Sequence, residues 1–140
     1  MKIKTTFIAA LLAAGFGLAG QIHAQDEMKA NGRPVHSVTV RIHQERPAPR
    51  GNLRVRFLEM IEDSRCPRDV NCIQAGTARI RVRVSKNGRS QVLVLETNGG
   101  RQPAVFAGYE LALYTLTPEP RSNIRINPNG YVATIQFRRV

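Results

Sequence analysis

Both cysteines of the chain fall in one short stretch, "EDSRCPRDVNCIQAG", Glu62 to Gly76, together with Glu62, Asp63 and Asp69. Thiols, carboxylates and arginines this close together invite three readings: a metal site, a catalytic loop or a disulfide staple. Zinc sites pair cysteines two to four residues apart and need further ligands. Cys66 and Cys72 enclose five residues, and downstream of residue 24 only His36 and His43 remain as imidazoles, both at predicted strand positions. Calcium would have to use Asp63, Asp69 and Asn71 without the spacing or turn glycine of a calcium loop. A redox site would want C-x-x-C at a helix start. No G-x-S-x-G or H-E-x-x-H is present. Glu62 and Asp63 are neighbours on a predicted strand and so face opposite sides, which does not make an acid/base pair. A staple remains. Pro67 and Asn71 favour turning, and closing a loop of this length constrains the unfolded chain by about 2.4 kcal/mol. The expectation is a Cys66–Cys72 disulfide without metal, cofactor or catalysis, in a loop organised by Asp63, Ser64, Arg65, Asp69 and Gly76.

A second cluster lies just downstream. In "TARIRVRV" the residues Arg79, Arg81 and Arg83 alternate with Ile80, Val82 and Val84. On a strand they form a comb with teeth about 6.5–7 Å apart. Arg54 and Arg56, and Arg41 if its strand is adjacent, would extend it. Such a face reads carboxylates or phosphates through bidentate bonds. The plainer reading is a solvated face whose long side chains cover apolar edges.

The elements that must position these residues are strands. Period-two alternation runs through "VHSVTVRIH", "LRVRFLEMIED", "TARIRVRV" and "NGYVATIQF". Leu58, Met60 and Ile61 blur the phase of the second, as a bulge or burial on both faces would. Asn87-Gly88 is a hairpin signal, because both central residues of a type I′ turn need positive φ. "QVLVLET" is apolar on both faces and predicts a central strand. "AVFAGYELALYTLTPEP" reads as one strand region, and Asn123–Ile126 as a short strand. "QERPAPRGN" is punctuation between strands. No stretch downstream of the leader has helical periodicity. The expected fold is all-β: a single immunoglobulin-like or related antiparallel β-sandwich of six to seven strands spanning residues 35–140. "NGYVA" resembles the tyrosine corner of immunoglobulin-like domains, but Tyr131 begins the last strand, and the chain has no Trp for a Cys–Trp–Cys core.

The N-terminus reads as a secretory signal peptide over residues 1–24. Lys2 and Lys4 precede a 13-residue apolar run, Phe7 to Ala19, and Ile22-His23-Ala24 ends on a small residue. The run is shorter than the roughly 20 residues of a membrane span. Residues 25–34 are polar, with Gly32 and Pro34, and read as a flexible leader. Cleavage leaves 116 of 140 residues and lowers the formal charge from +11 to +9. An exported chain of this size is one domain, and two exported cysteines favour one disulfide. The location expected is the periplasm or the cell exterior, with no transmembrane segment after cleavage. The positive charge attracts anionic partners, although no aromatics interleave with the arginines as in single-strand binders.

"EDSRCPRDVNCIQAGTARIRVRV" resembles the motif of a group of small secreted or lipid-anchored bacterial proteins of unknown function. Asp63, Ser64, Arg65, Cys66, Pro67, Val70, Cys72, Ala75 and Gly76 carry the match, and "GYELALYTLTPEP" and "NGYVATIQF" look like the group's second half. The resemblance implies an exported domain and names no activity. It also marks Gln74 as a departure, since the group commonly has Trp there. The function expected from sequence is therefore a non-catalytic binding or interaction module whose partner is unknown. A periplasmic or extracellular protein and an anionic polymer are both open. So is an inhibitor-like role that presents the stapled loop to a hydrolase.

Overall fold

The computed structural model describes residues 34–99 and 103–140. The signal peptide and the leader up to residue 33 lie outside the described residues. Among the described residues eight strands form two four-stranded sheets. The strands are β1 (His36–Arg41), β2 (Glu45–Pro47), β3 (Arg54–Asp63), β4 (Ala78–Lys86), β5 (Arg89–Glu96), β6 (Ala104–Phe106), β7 (Tyr109–Thr117) and β8 (Val132–Arg139). One sheet runs β1-β8-β7-β6 and the other β2-β3-β4-β5, and every pairing is antiparallel. The all-β sandwich is as expected. Its connectivity is a four-stranded meander, β2 to β5, and a three-stranded one, β6 to β8, with β1 added beside β8. The chain crosses between the sheets from β1 to β2 and from β5 to β6, the related form of sandwich and not the Greek key of an immunoglobulin domain.

The alternation read from sequence fixes which faces meet. Val38 and Val40 from β1, Val55 and Phe57 from β3, Ala133, Ile135 and Phe137 from β8, and the whole inner row of β4 (Ala78, Ile80, Val82, Val84) are buried between the sheets. Burial of each large aliphatic side chain contributes roughly 1.5–3 kcal/mol, so strand phase is strongly specified: a one-residue slip would turn this row to solvent. Among the described residues every fully buried side chain is hydrophobic.

Several local expectations are met and others are corrected. Asn87 (φ 51°) and Gly88 (φ 76°) form the predicted two-residue hairpin turn. The blurred phase in β3 is two register shifts, between Phe57 and Glu59 and between Met60 and Glu62, so the bulge reading holds. "AVFAGYELALYTLT" is a hairpin, β6 and β7, turned by Ala107 and Gly108 at positive φ. The sequence hides it because alanine is an unusual residue there. Asn123–Ile126 contributes only an isolated bridge between Arg121 and Ile124. "QERPAPRGN" contains the edge strand β2, where Pro47 is tolerated because an edge residue need not donate. The largest correction concerns β5. It is an edge strand and not a central one, with Val92 and Val94 exposed.

Candidate functional site

The stretch between β3 and β4 forms one end of the sandwich. Cys66 and Cys72 are disulfide-bonded, with Cα atoms 5.9 Å apart, a normal separation. The roots of the loop are cross-tied. The Ser64 amide donates to the Thr77 carbonyl at 2.8 Å, the Ser64 hydroxyl donates to the same carbonyl at 2.8 Å, and the Thr77 amide donates to the Ser64 hydroxyl oxygen at 3.0 Å. The Cys66 amide donates to the Ala75 carbonyl at 3.0 Å. Gly76 holds φ +67°, and a Cβ there would lie 1.7 Å from the Ser64 carbonyl oxygen. Only glycine fits so close a backbone approach.

Asp63 and Arg65 make a knot beneath this loop. Arg65 Nε and Nη2 donate to the two carboxylate oxygens of Asp63, both at 2.8 Å. Nη1 donates to the Leu116 carbonyl at 2.6 Å and Nη2 also to the Pro118 carbonyl at 2.9 Å, just past the cis Thr117–Pro118 bond. The Tyr131 hydroxyl donates to Asp63 Oδ2 at 3.0 Å. The two ionic side chains are each 13% exposed. Burial by itself would raise the Asp63 pKa, but the Arg65 bonds and charge and the Tyr131 hydroxyl outweigh it and hold the carboxyl below its ordinary value. Tyr131 is pushed up to about 12, first by burial and then by the Asp63 carboxylate it donates to. This cluster is a structural clamp between the sheets. Tyr131 precedes a strand as a corner tyrosine does, but its hydroxyl reaches a carboxylate of the opposite sheet.

Asp69 and Arg68 fasten the loop to residues 119–122. The Ser122 amide donates to Asp69 Oδ1 at 2.9 Å and the Ser122 hydroxyl donates to Oδ2; these bonds lower the Asp69 pKa. The Arg68 amide donates to the Pro120 carbonyl at 2.9 Å, and its guanidinium pairs with Glu119 at 2.8 Å. Arg65 thus pairs with a carboxylate at the root of its own loop, whereas Arg68 pairs with one outside it. All five loop-organising residues named from sequence take part in these ties. Sequence reasoning missed their distant partners, Leu116, Pro118, Ser122 and Tyr131, because carbonyls and hydroxyls more than 50 residues away carry no local signature.

With Asp63, Ser64, Arg65 and Asp69 bonded within the protein, the loop leaves two aliphatic side chains exposed at its tip. Ile73 is fully exposed, Val70 is exposed, and Asn71 and Gln74 stand beside them. Gln74 is exposed to solvent. A shallow groove of about 590 Å³ runs alongside, between Cys66 and Arg68 on one side and Asn98 and Tyr114 on the other. Tyr114 is the extra residue of a bulge between Leu113 and Thr115 and is largely exposed. A bulge re-aims a side chain in this way. The sequence shows Tyr114 as one more strand residue.

The arginine comb lies on the outer face of the β3–β4 pair, and its neighbours are acidic. Glu62 and Glu96 flank Arg79, with Glu96 Oε1 2.9 Å from Arg79 Nε at an angle that makes it an ion contact and not a hydrogen bond. Arg81 pairs with Glu59, and Arg54 pairs with Glu45 at 2.5 Å. Arg56 stands directly opposite Arg83, and among the described residues neither forms an ion pair. Arg41 lies in the other sheet and does not join. The five arginines do share a face, but three are neutralised, which leaves one like-charged pair.

Among the described residues no helix is long and apolar enough to cross a membrane. No protein-family profile matches the chain, and neither curated proteins nor solved structures yield a similar one.

Proposed function

We propose that this chain is an exported, non-catalytic binding module that meets a periplasmic or extracellular protein through the stapled end of its sandwich. One observation carries the reading. Asp63, Ser64, Arg65 and Asp69 bond to other groups of the protein, while Val70, inside the disulfide-closed segment, and Ile73, directly after it, face solvent. Preorganised apolar tips bind well because little freedom remains to be lost. Export is supported by the basic head and apolar run of the N-terminus and by the disulfide. The absence of catalysis is supported by the saturation of Asp63, Arg65 and Asp69 with structural bonds. A loop of this kind also suits an inhibitor that occupies a hydrolase cleft.

The second reading, a binder of anionic polymers, rests on the unneutralised Arg56–Arg83 pair. Binding of that kind weakens steeply with salt. One experiment separates the two. Immobilised wild type, a Val70→Asp/Ile73→Asp variant and an Arg56→Glu/Arg83→Glu variant are offered periplasmic and culture-supernatant proteins, and separately heparin over a salt series. A protein partner lost only by the loop variant supports the stapled-end reading. Heparin retention lost only by the arginine variant transfers the function to the sheet face, and loss by neither variant refutes both. Cell fractionation, with the mature N-terminus read as Gln25, tests export.

A further inference from the structure

The sequence of β5 and its position disagree. "RSQVLVLE" is apolar on both faces from Val92 to Leu95, the composition of a strand with neighbours on either side. In the structure only β4 pairs with it; its other edge has no strand partner among the described residues. The usual protections of an edge, proline, lysine or a bulge, are absent from β5. The opposite edge of the same sheet has them: β2 is three residues long, contains Pro47 and is flanked by the Glu45–Arg54 ion pair.

The hairpin fixes which groups β5 offers. A two-residue turn closes on a hydrogen-bonded pair, here Lys86 with Arg89. Bonded and non-bonded pairs then alternate. Gln91, Leu93 and Leu95 exchange their backbone bonds with β4. Ser90, Val92, Val94 and Glu96 turn their N–H and C=O groups away from it. These same four residues carry their side chains on the outer face, across from Ser85, Arg83, Arg81 and Arg79.

We propose that β5 is the self-association edge of this protein, pairing antiparallel with β5 of a second copy to make one continuous eight-stranded sheet. The strand is self-complementary in that arrangement. With the two-fold axis at Leu93, Val92 lies opposite Val94 of the second copy and Ser90 opposite Glu96. Every outward-facing backbone group from 90 to 96 then meets another. Four valines form a patch on the outer face, where β-branched cross-strand pairs stabilise a sheet. Charge selects the direction. Arg89 begins the strand, Glu96 ends it, and no charge lies between them. Antiparallel pairing sets the positive end of one copy beside the negative end of the other, whereas parallel pairing sets like beside like. Because β2 is blunted, the assembly closes as a two-fold pair.

Val94→Pro tests the assignment. The Val94 N–H points away from β4, so proline there leaves the β4–β5 ladder intact and deletes two of the bonds across the axis, one from each copy. Light scattering and sedimentation of the purified protein over a wide concentration range should show a wild-type dimer. In Val94→Pro, self-association should weaken about a hundredfold, with an unchanged circular dichroism spectrum. Should Val94→Pro fail to fold, a Val92→Lys/Val94→Lys variant decides, since it charges the same edge without touching the backbone. A wild type that stays monomeric throughout, a dimer that survives the edge variants, or an open-ended polymer would each overturn the proposal. So would β5 amides that gain protection from exchange only when a foreign protein is added.

Discussion

Two sets of arginines, Arg65 and the β4 comb, show how far one residue type can be turned to different ends. Arg65 is 13% exposed, donates to both oxygens of Asp63 and to two carbonyls of the 116–118 segment, and so connects the two sheets. Arg81 is 45% exposed and meets a single glutamate on the next strand. The side chains are chemically identical; the difference lies in the dielectric around them and in how many fixed acceptors converge. A planar fork with all its acceptors preset loses little freedom per bond, while an exposed pair spends its Coulomb gain on ordering two long chains.

Mutation separates the two uses. Arg65→Ala leaves the Asp63 carboxylate largely buried without its cation and should cost about 3 kcal/mol in denaturant unfolding; a loss below that of Arg81→Ala would erase the distinction. Opening the staple above the knot, by Cys66→Ser with Cys72→Ser, should cost about 2 kcal/mol and leave the spectrum of the folded sandwich unchanged, because the Ser64–Thr77 bonds persist. Tyr131→Phe removes a bond to a charged acceptor and should cost about 1.5 kcal/mol. Arg81→Ala should cost under about 1 kcal/mol, and that loss should fade in high salt.

Acid and alkali probe the same knot from opposite sides. The folded pKa of Asp63 lies below the ordinary value of 3.8. Its contribution is therefore complete above 3.8 and is lost as pH falls through the folded value. Tyr131 is raised from 10.0 to about 12. Its contribution is complete below 10.0 and is lost as pH rises towards 12, because only the unfolded state releases the proton early. Tyr131→Phe should flatten the alkaline limb measured by denaturant titration. An unchanged limb would remove Tyr131 from the clamp.

The sheets were legible because burial writes a period of two into sequence. The faces of Val38, Phe57, the β4 row and Ile135 all follow from alternation alone. The staple was legible from spacing and the Asn87-Gly88 hairpin from turn chemistry. Two things were not. The Ala107-Gly108 turn uses a residue that seldom adopts positive φ, so β6 and β7 merged into one strand. The position of β5 was misread because composition reports how apolar a strand's faces are, not how many neighbours it has. The arginine comb was placed on the right face, but its acidic neighbours depend on register across strands, which a single strand's pattern does not hold. The roots of the stapled loop carry a local signature in Asp63, Ser64 and Gly76, and the carbonyls of Leu116 and Pro118 that Arg65 meets carry none.

The ties at Asp63, Ser64, Arg65 and Gly76 have a consequence for how this end of the molecule can vary. They hold the loop by its base, while Val70, Asn71, Ile73 and Gln74 stand outside them. Foldability and recognition are thereby assigned to different residues. The tip can drift in sequence, or be replaced by an engineer, as a cassette carried on an unchanged chassis.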